Sequence, residues 1–483
     1  MANPTDAADT GLEQYGVDTI PDAARTSSPR DVVAILWGGN MALSVGVFGW
    51  LAILYGLSWW ASVAAIVVGT AVGALVVTPL ALLGYRAATN NSVASGAYFG
   101  VRGRLVASVI GLLLCLGYVA LTIWTGGEAL VAVADRMTGT EDSAVQDIVG
   151  YGVLAVAVAV VAIYGYRWLL RVNTLIVVVV GIAMLLTVIG LAGQFDATYA
   201  GAPDTYALGS FWPTWLLAAL TAGIAGPVSY VTQIGDWTRY ISPRRNTQSA
   251  LLAGTFVGLL GGLLIPTLWG AYVSSILFDE NSFPAGLVGG VPSWLVIPVV
   301  LAALVGSVGQ GAMNLYSMGL DLDAILPRLS RVQATVVVTA AATILVFLGK
   351  FVWDAEVAVT AFVVFLTSLA TPWAVISLLG FWRTRGRFDQ PDLQVFNQRR
   401  TGGRYWYSGG WNPAAVLAWL AGSTVGVLSN ATEAFIGPIA AALGGVDASF
   451  ITSGLAAGVV YLILVSAQPQ WLNTGAPSVP LET

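Results

Sequence analysis

Between residues 31 and 467 the chain keeps returning to apolar runs about as long as a bilayer core is thick. A run of roughly 18 or more such residues that meets lipid has to be helical, because a helix satisfies its own backbone where water is absent. Twelve runs are legible, at about 31–56, 58–84, 104–134, 147–166, 168–193, 212–236, 248–278, 292–320, 331–350, 355–381, 411–430 and 447–467; they are numbered spans 1 to 12 below. Charged residues make up 9% of the chain, against about 25% in a soluble domain. The sequence therefore predicts an all-α polytopic membrane protein with no soluble catalytic domain. There is no His and a single Cys, Cys115. A disulfide within the chain, a His-based metal site and imidazole acid–base chemistry are thereby excluded, and an enzyme is not expected.

Loop charge predicts the topology. With the N-terminus inside, eighteen Lys and Arg fall on the inner side and two, Arg136 and Lys350, on the outer side. That asymmetry is the positive-inside pattern of a cytoplasmic membrane and places both termini in the cytoplasm. Residues 1–30 are polar and read as a disordered tail; the basic start of a secretory signal is missing. The expected divisions are 31–195 for spans 1–5, 212–381 for spans 6–10, a basic loop at 382–410, spans 11–12 at 411–467, and a tail from 468 to 483.

Two spans carry helix breakers at mid-membrane. Span 1 contains "LWGGNMALSVGVFG" and span 6 contains "LTAGIAGPVSYVTQ". Each opens a unit of five spans, the arrangement expected of an inverted-repeat secondary transporter with broken spans 1 and 6. Unwound backbone at that depth lines a cavity or is buried in protein, so the break at Gly223–Pro227, Gly226 included, offers backbone N–H and C=O groups to a ligand. A packing kink is the alternative for either break alone. In span 3, Gly111, Cys115, Tyr118, Thr122 and Thr125 recur at helical spacing; in span 8, Ser307, Gln310, Asn314 and Ser317 do the same and continue toward Asp321. These stripes read either as hydrogen-bonded glue between helices or as a binding wall. The amides of Gln310 and Asn314 each offer donors and an acceptor suited to the edge of a heterocycle. Glu128 is the one acid well inside an apolar run, and so a candidate proton carrier. It also reads as an interfacial carboxylate. Asp236 and Arg239, three residues apart at the inner end of span 6, read as a structural ion pair or a gate latch.

In the order of their occurrence, "SPRD…LWGGNM", "FGVRGR", "GYVALTIWTGGEAL", "GDWTRY", "MNLYSMGLDLDAI", "GGRYWYSGGWNPAAVLAW" and "GGVDASF" resemble the nucleobase–cation symporters, in their purine/cytosine permease branch. The resemblance implies twelve spans in a five-plus-five inverted repeat with two appended. It also implies cation-coupled import of a nucleobase or related heterocycle by alternating access, with no organic cofactor, no resident metal and no nucleic acid partner. Carried over, Tyr118 stands where that branch usually has a stacking Trp, Phe48 is the aromatic of span 1, Asn40 matches the Asn of the first break, Ser229 lies near the polar contact of span 6, and Gln310 and Gly311 fall near the amides of span 8. Sodium-using members carry a hydroxyl pair on span 8. Here Val308–Gly309 or Gly309–Gln310 stands there, which favours a proton. The alternatives are a sodium-coupled carrier of an amino acid or vitamin precursor on the same architecture and, from a different class, a membrane receptor or enzyme.

Overall fold

The computed structural model describes residues 15–139, 144–163, 166–325, 331–352, 355–467 and 479–480. Among them, ten helices are long and apolar enough to cross a bilayer. Span 1 is an eleventh, made of Pro29–Asn40 and Leu43–Leu54 bent by 65°. Pro413–Leu428 is a shorter apolar helix in the place of span 11. The chain is a multi-pass membrane protein.

Each break has a local cause. Span 1 starts where the Ser28 N–H donates to Asp31 Oδ2 at 2.7 Å and Pro29 opens the helix, a reciprocal cap. It stops at Asn40, where Met41 and Ala42 leave helical geometry. The Asn40 side chain takes over there: Nδ2 donates to the Leu36 carbonyl at 2.6 Å and Oδ1 accepts from the Tyr230 hydroxyl at 2.7 Å. Span 6 runs Phe211–Ala218, widens into a π-helical turn at Ala219–Ile224, continues over Ala225–Val228, and ends with Ile234–Thr238. The sequence placed its interruption at Gly223–Pro227; the turn that replaces the helix lies just beyond, at residues 229–233. Pro227 supplies no N–H, so the ladder is already short of a donor on entering that turn. The wide turn fits because span 2 (Trp59–Val77, continuing through Ala81–Ala87) is small there. A Cβ on Gly69 would stand 2.2 Å from the Ala219 carbonyl oxygen, and one on Gly223 would stand 2.5 Å from the Gly69 Cα.

The packing map reveals the repeat. Span 1 packs on span 7 (Gln248–Ser274), and span 6 packs on span 2. Span 4 (Ala144–Ile163) packs on span 8 (Ser293–Ile325), and span 9 (Arg331–Phe351) packs on span 3 (Leu105–Thr138). Span 3 packs on span 8, and span 4 on span 9. Adding five to the span of the first half and subtracting five from that of the second turns each of these pairs into another of them or into itself, as a two-fold relation between two five-helix units requires. Span 5 (Tyr166–Leu191) packs against spans 1 and 8, and span 10 (Ala355–Arg383) against spans 3 and 6. Spans 11 and 12 (Ser449–Ala467) pack on one another and on span 10, outside the repeat.

The segment read as a loose tail is packed from Tyr15 onward; residues 1–14 lie outside the described residues. Ile20 and Arg25 are buried. The Arg25 guanidinium donates to the carbonyls of Arg239, Tyr85 and Ile241, and Thr26 bridges Ile241. The Ser242 hydroxyl, and then Arg244 and Arg25, hold the Asp22 carboxyl below the usual carboxylate range. This segment covers the end of spans 2 and 6 that carries Tyr85 and Arg239.

Candidate functional site

A small enclosed cavity lies between the two breaks. Asn40, Val45 and Phe48 of span 1, Tyr118 of span 3, Gly226, Ser229 and Tyr230 of span 6, Leu263 of span 7, and Gln310 and Asn314 of span 8 line it. Seven of the nine substrate-contact candidates therefore converge. Cys115 and Gly311 do not line it. Cys115 is fully buried a turn below Tyr118, its Sγ accepting from Gln233 Nε2 at 3.2 Å. Gly311 faces span 4, where a Cβ would stand 2.4 Å from Val158 Cγ1.

The walls divide by chemistry. The Phe48 and Tyr118 rings lie 6.1 Å apart at 52°, and Phe362 of span 10 closes on the far side of Tyr118 at 6.2 Å. On the polar side the Gln310 amide is held in one orientation. Its Oε1 accepts from the Ser44 hydroxyl, and the Thr122 hydroxyl lies 2.9 Å from the same oxygen. The Ser44 hydroxyl donates to that oxygen as the carbonyl end of the amide, while the single Thr122 proton is shared between it and the Tyr118 carbonyl at 2.7 Å. Gln310 Nε2 is thereby left as a donor for the cavity. One turn on, Asn314 Nδ2 donates to the Gln310 carbonyl at 3.1 Å, which leaves Oδ1 as an acceptor. The two amides thus offer a donor and an acceptor side by side. Asn40 has both ends of its amide engaged in holding the breaks together, and the Ser229 hydroxyl donates to the Gly226 carbonyl at 2.6 Å. Tyr230, Ser44 and Thr122 are the contributors that sequence reasoning passed over or left as stripe members. Tyr230 had one signal, its place directly after Ser229 at the break.

The ionisable groups fall into two clusters away from the cavity. On the C-terminal half of span 3, Glu128 Oε2 accepts from the Tyr151 hydroxyl and lies 3.5 Å from Lys350 Nζ, which is also 3.9 Å from Asp147 Oδ1. On the C-terminal half of span 8, Asp321 Oδ1 accepts from the Ser92 hydroxyl at 2.7 Å, and its other oxygen sits over Gly111. Asp236 is within electrostatic reach of it. Glu128 is therefore not the most buried acid: it is 9% exposed, against 2% for Asp236 and 3% for Asp321. The packed N-terminal segment is the reason, since it covers the end of span 6 where a polar interface was expected. Arg239 is fully buried; its Nε donates to the Asp236 carbonyl at 3.2 Å and its NH2 group to the Tyr316 hydroxyl at 3.2 Å. It ties span 6 to span 8 as well as to its own turn.

Residues 19–452 match the family model of permeases for cytosine/purines, uracil, thiamine and allantoin. The chain belongs to that family. It is a transporter, not an enzyme. YxlA of Bacillus subtilis (strain 168) is 22% identical over 471 residues, covering 94% of this chain and 96% of that protein. The vitamin B6 transporter TPN1 of Saccharomyces cerevisiae (strain ATCC 204508 / S288c) is 26% identical over 335 residues, 65% of this chain and 55% of the yeast protein. The fold matches that of Mhp1, a nucleobase-cation-symport-1 family transporter in a closed conformation with bromovinylhydantoin bound. That match has a TM-score of 0.73 at 19% identity and covers 97% of this chain and 98% of Mhp1.

Proposed function

We propose that the protein imports a small planar nitrogen heterocycle of the cytosine or purine type by cation symport, with both termini in the cytoplasm. The observation that carries this reading is the donor of Gln310 beside the acceptor of Asn314, at a wall flanked by Phe48 and Tyr118. A nucleobase edge presents a ring N–H next to a C=O, the complement of that pair, and its face suits an aromatic wall. The shallow polar ring of a pyridine-type vitamin also fits an aromatic wall. The similarity to TPN1 keeps such a vitamin precursor as the second reading, with sodium as its cation.

The coupling ion in our reading is a proton. The Gly38 carbonyl of span 1 faces Gly309 of span 8, where a Cβ would meet Ile176 Cδ1 at 2.3 Å. That position offers no hydroxyl and is closed by an apolar side chain, unsuited to a cation that needs hard oxygen ligands. Of the candidate carriers, Glu128 is already engaged by Lys350 at 3.5 Å and by the Tyr151 hydroxyl. Asp236 and Asp321 have the stronger claim, since they are more deeply buried than Glu128 and a carboxylate buried within the spans is a default candidate for a proton relay. Uptake of labelled bases and of pyridoxine, with sodium and pH varied independently, tests the reading. Saturable, pH-driven uptake of a base supports it. Uptake of pyridoxine alone, driven by sodium, replaces it with the second.

A further inference from the structure

A second cavity, of about 640 Å³, opens where span 10 ends, between that end, the loop after it and span 12. Four arginines line it: Arg383, Arg385, Arg387 and Arg404. Arg383, Arg385 and Arg387 are exposed, and none forms an ion pair with a described carboxylate. The acids of the same loop are used locally: Asp389 Oδ1 accepts from the Asp392 N–H at 3.2 Å, and Asp392 Oδ2 from the Arg404 N–H at 2.7 Å. Like charges around one cavity repel, so the arrangement calls for an anion.

The floor of the cavity makes the same demand independently. The Tyr461 hydroxyl is buried and has no hydrogen-bond partner among the described residues. The Tyr98 hydroxyl, also buried, has Thr384 beside it, whose own proton goes to the Gly380 and Phe381 carbonyls. A buried hydroxyl left unpaired is costly, and a tyrosine hydroxyl can donate to an anionic oxygen. The backbone adds a third sign. Arg385 adopts φ +55°, followed by Gly386 at +62°. A side chain larger than glycine rarely takes that conformation, and here it turns the chain back so that Arg387 also reaches the rim.

We propose that this cavity binds the phosphate of an anionic phospholipid headgroup from the leaflet on the basic side of the membrane. The guanidinium groups suit phosphate oxygens, and the Tyr461 hydroxyl adds a donor. The surroundings favour a lipid source over a soluble anion. Trp382, next to Arg383, is 60% exposed, as an interfacial anchor would be, and Leu462 and Ile463, which follow Tyr461 on span 12, are also exposed and apolar. Basic pockets between spans on the cytoplasmic side are the usual seats of such headgroups. The occupant holds the end of span 10 to span 12.

The test is native mass spectrometry of the full chain in detergent, with phosphatidylglycerol, phosphatidylcholine or inorganic phosphate added in turn. The wild type is expected to retain one phosphatidylglycerol in preference to phosphatidylcholine. Retention should fall about fivefold for each arginine neutralised, and on the order of a hundredfold in Arg383→Gln/Arg387→Gln/Arg404→Gln. Arg387→Lys should keep more than Arg387→Gln, and Tyr461→Phe should weaken retention severalfold; both single variants serve if the triple variant is unstable. Equal retention of the two lipids, or of phosphatidylglycerol by wild type, triple variant and Arg387→Gln alike, overturns the site. Displacement of phosphatidylglycerol by low-millimolar phosphate overturns the lipid source.

Discussion

Replacing Gln310 with Ala tests the binding wall most sharply, because the environment of that amide sets its expected cost. The substitution removes the donor that Nε2 offers the ligand. It also leaves the Ser44 hydroxyl without its acceptor, whereas Thr122 keeps the Tyr118 carbonyl at 2.7 Å. A lost neutral hydrogen bond is worth about 1 kcal/mol, and a stranded polar group on the ligand costs about 1 kcal/mol or more. The sum of about 2 kcal/mol corresponds to a rise in KM of about thirtyfold. Thr122→Val keeps the shape and removes one of the two hydroxyls at Oε1. Ser44 still holds the amide, so KM should rise less than about fivefold. Adding Ser44→Ala to Thr122→Val frees the amide to turn, and the pair should cost more than the sum of the two singles, as coupled residues do. The assay is initial-rate uptake of a labelled base at matched surface expression. A KM for Gln310→Ala within twofold of wild type would refute the donor–acceptor reading and leave the stripe of span 8 as packing.

Other consequences are as direct. Tyr118→Ala should lose about 1 kcal/mol of stacking and further buried contact, whereas Tyr118→Phe and Tyr118→Trp keep most of the uptake; equal transport by Ala and wild type would remove the ring from the site. Gly69→Ala drives a methyl into backbone on two sides, at 2.2 Å from the Ala219 oxygen and 2.8 Å from the Gly223 Cα. It should cost about 1–3 kcal/mol in thermal unfolding, while Gly152→Ala, with nothing within 4 Å, should cost almost nothing. Glu128→Gln should leave uptake pH-driven but loosen the cluster around Lys350. Asp321→Asn should abolish accumulation driven by a pH gradient while substrate exchange persists; if instead Glu128→Gln alone uncouples transport, the proton sits at the Lys350 cluster.

The residues that announced themselves in the sequence were those with a periodic or conformational signature. Gln310 and Asn314 share one helical face, Tyr118 lies on another, and glycine and proline mark the breaks, whereas Asn40, Phe48 and Ser229 came from the family resemblance. What stayed hidden depends on tertiary neighbours. Gly311 sits in the same motif as Gln310, yet one residue of helix rotation, about 100°, turns it to Val158. Glu128 stood out because its sequence neighbours are apolar, but Lys350 reaches it from 222 residues away. Asp236 and Arg239 looked interfacial because polar residues follow them. Their burial comes from residues 15–28, a segment whose composition reads as a tail and whose order comes from the hydrogen bonds of Arg25 to three carbonyls. The turn at residues 229–233 was misplaced by a few positions because span 2 has to receive the wide turn before it.

Coupling is the central claim, and reconstituted protein tests it directly. Proteoliposomes are given an inward pH gradient or an inward sodium gradient, one at a time, and accumulation of labelled cytosine or purine is followed against a no-gradient control. The account expects accumulation above the control with the pH gradient, none with sodium, and loss of the pH-driven component in Asp321→Asn. Accumulation driven by the sodium gradient alone would contradict it.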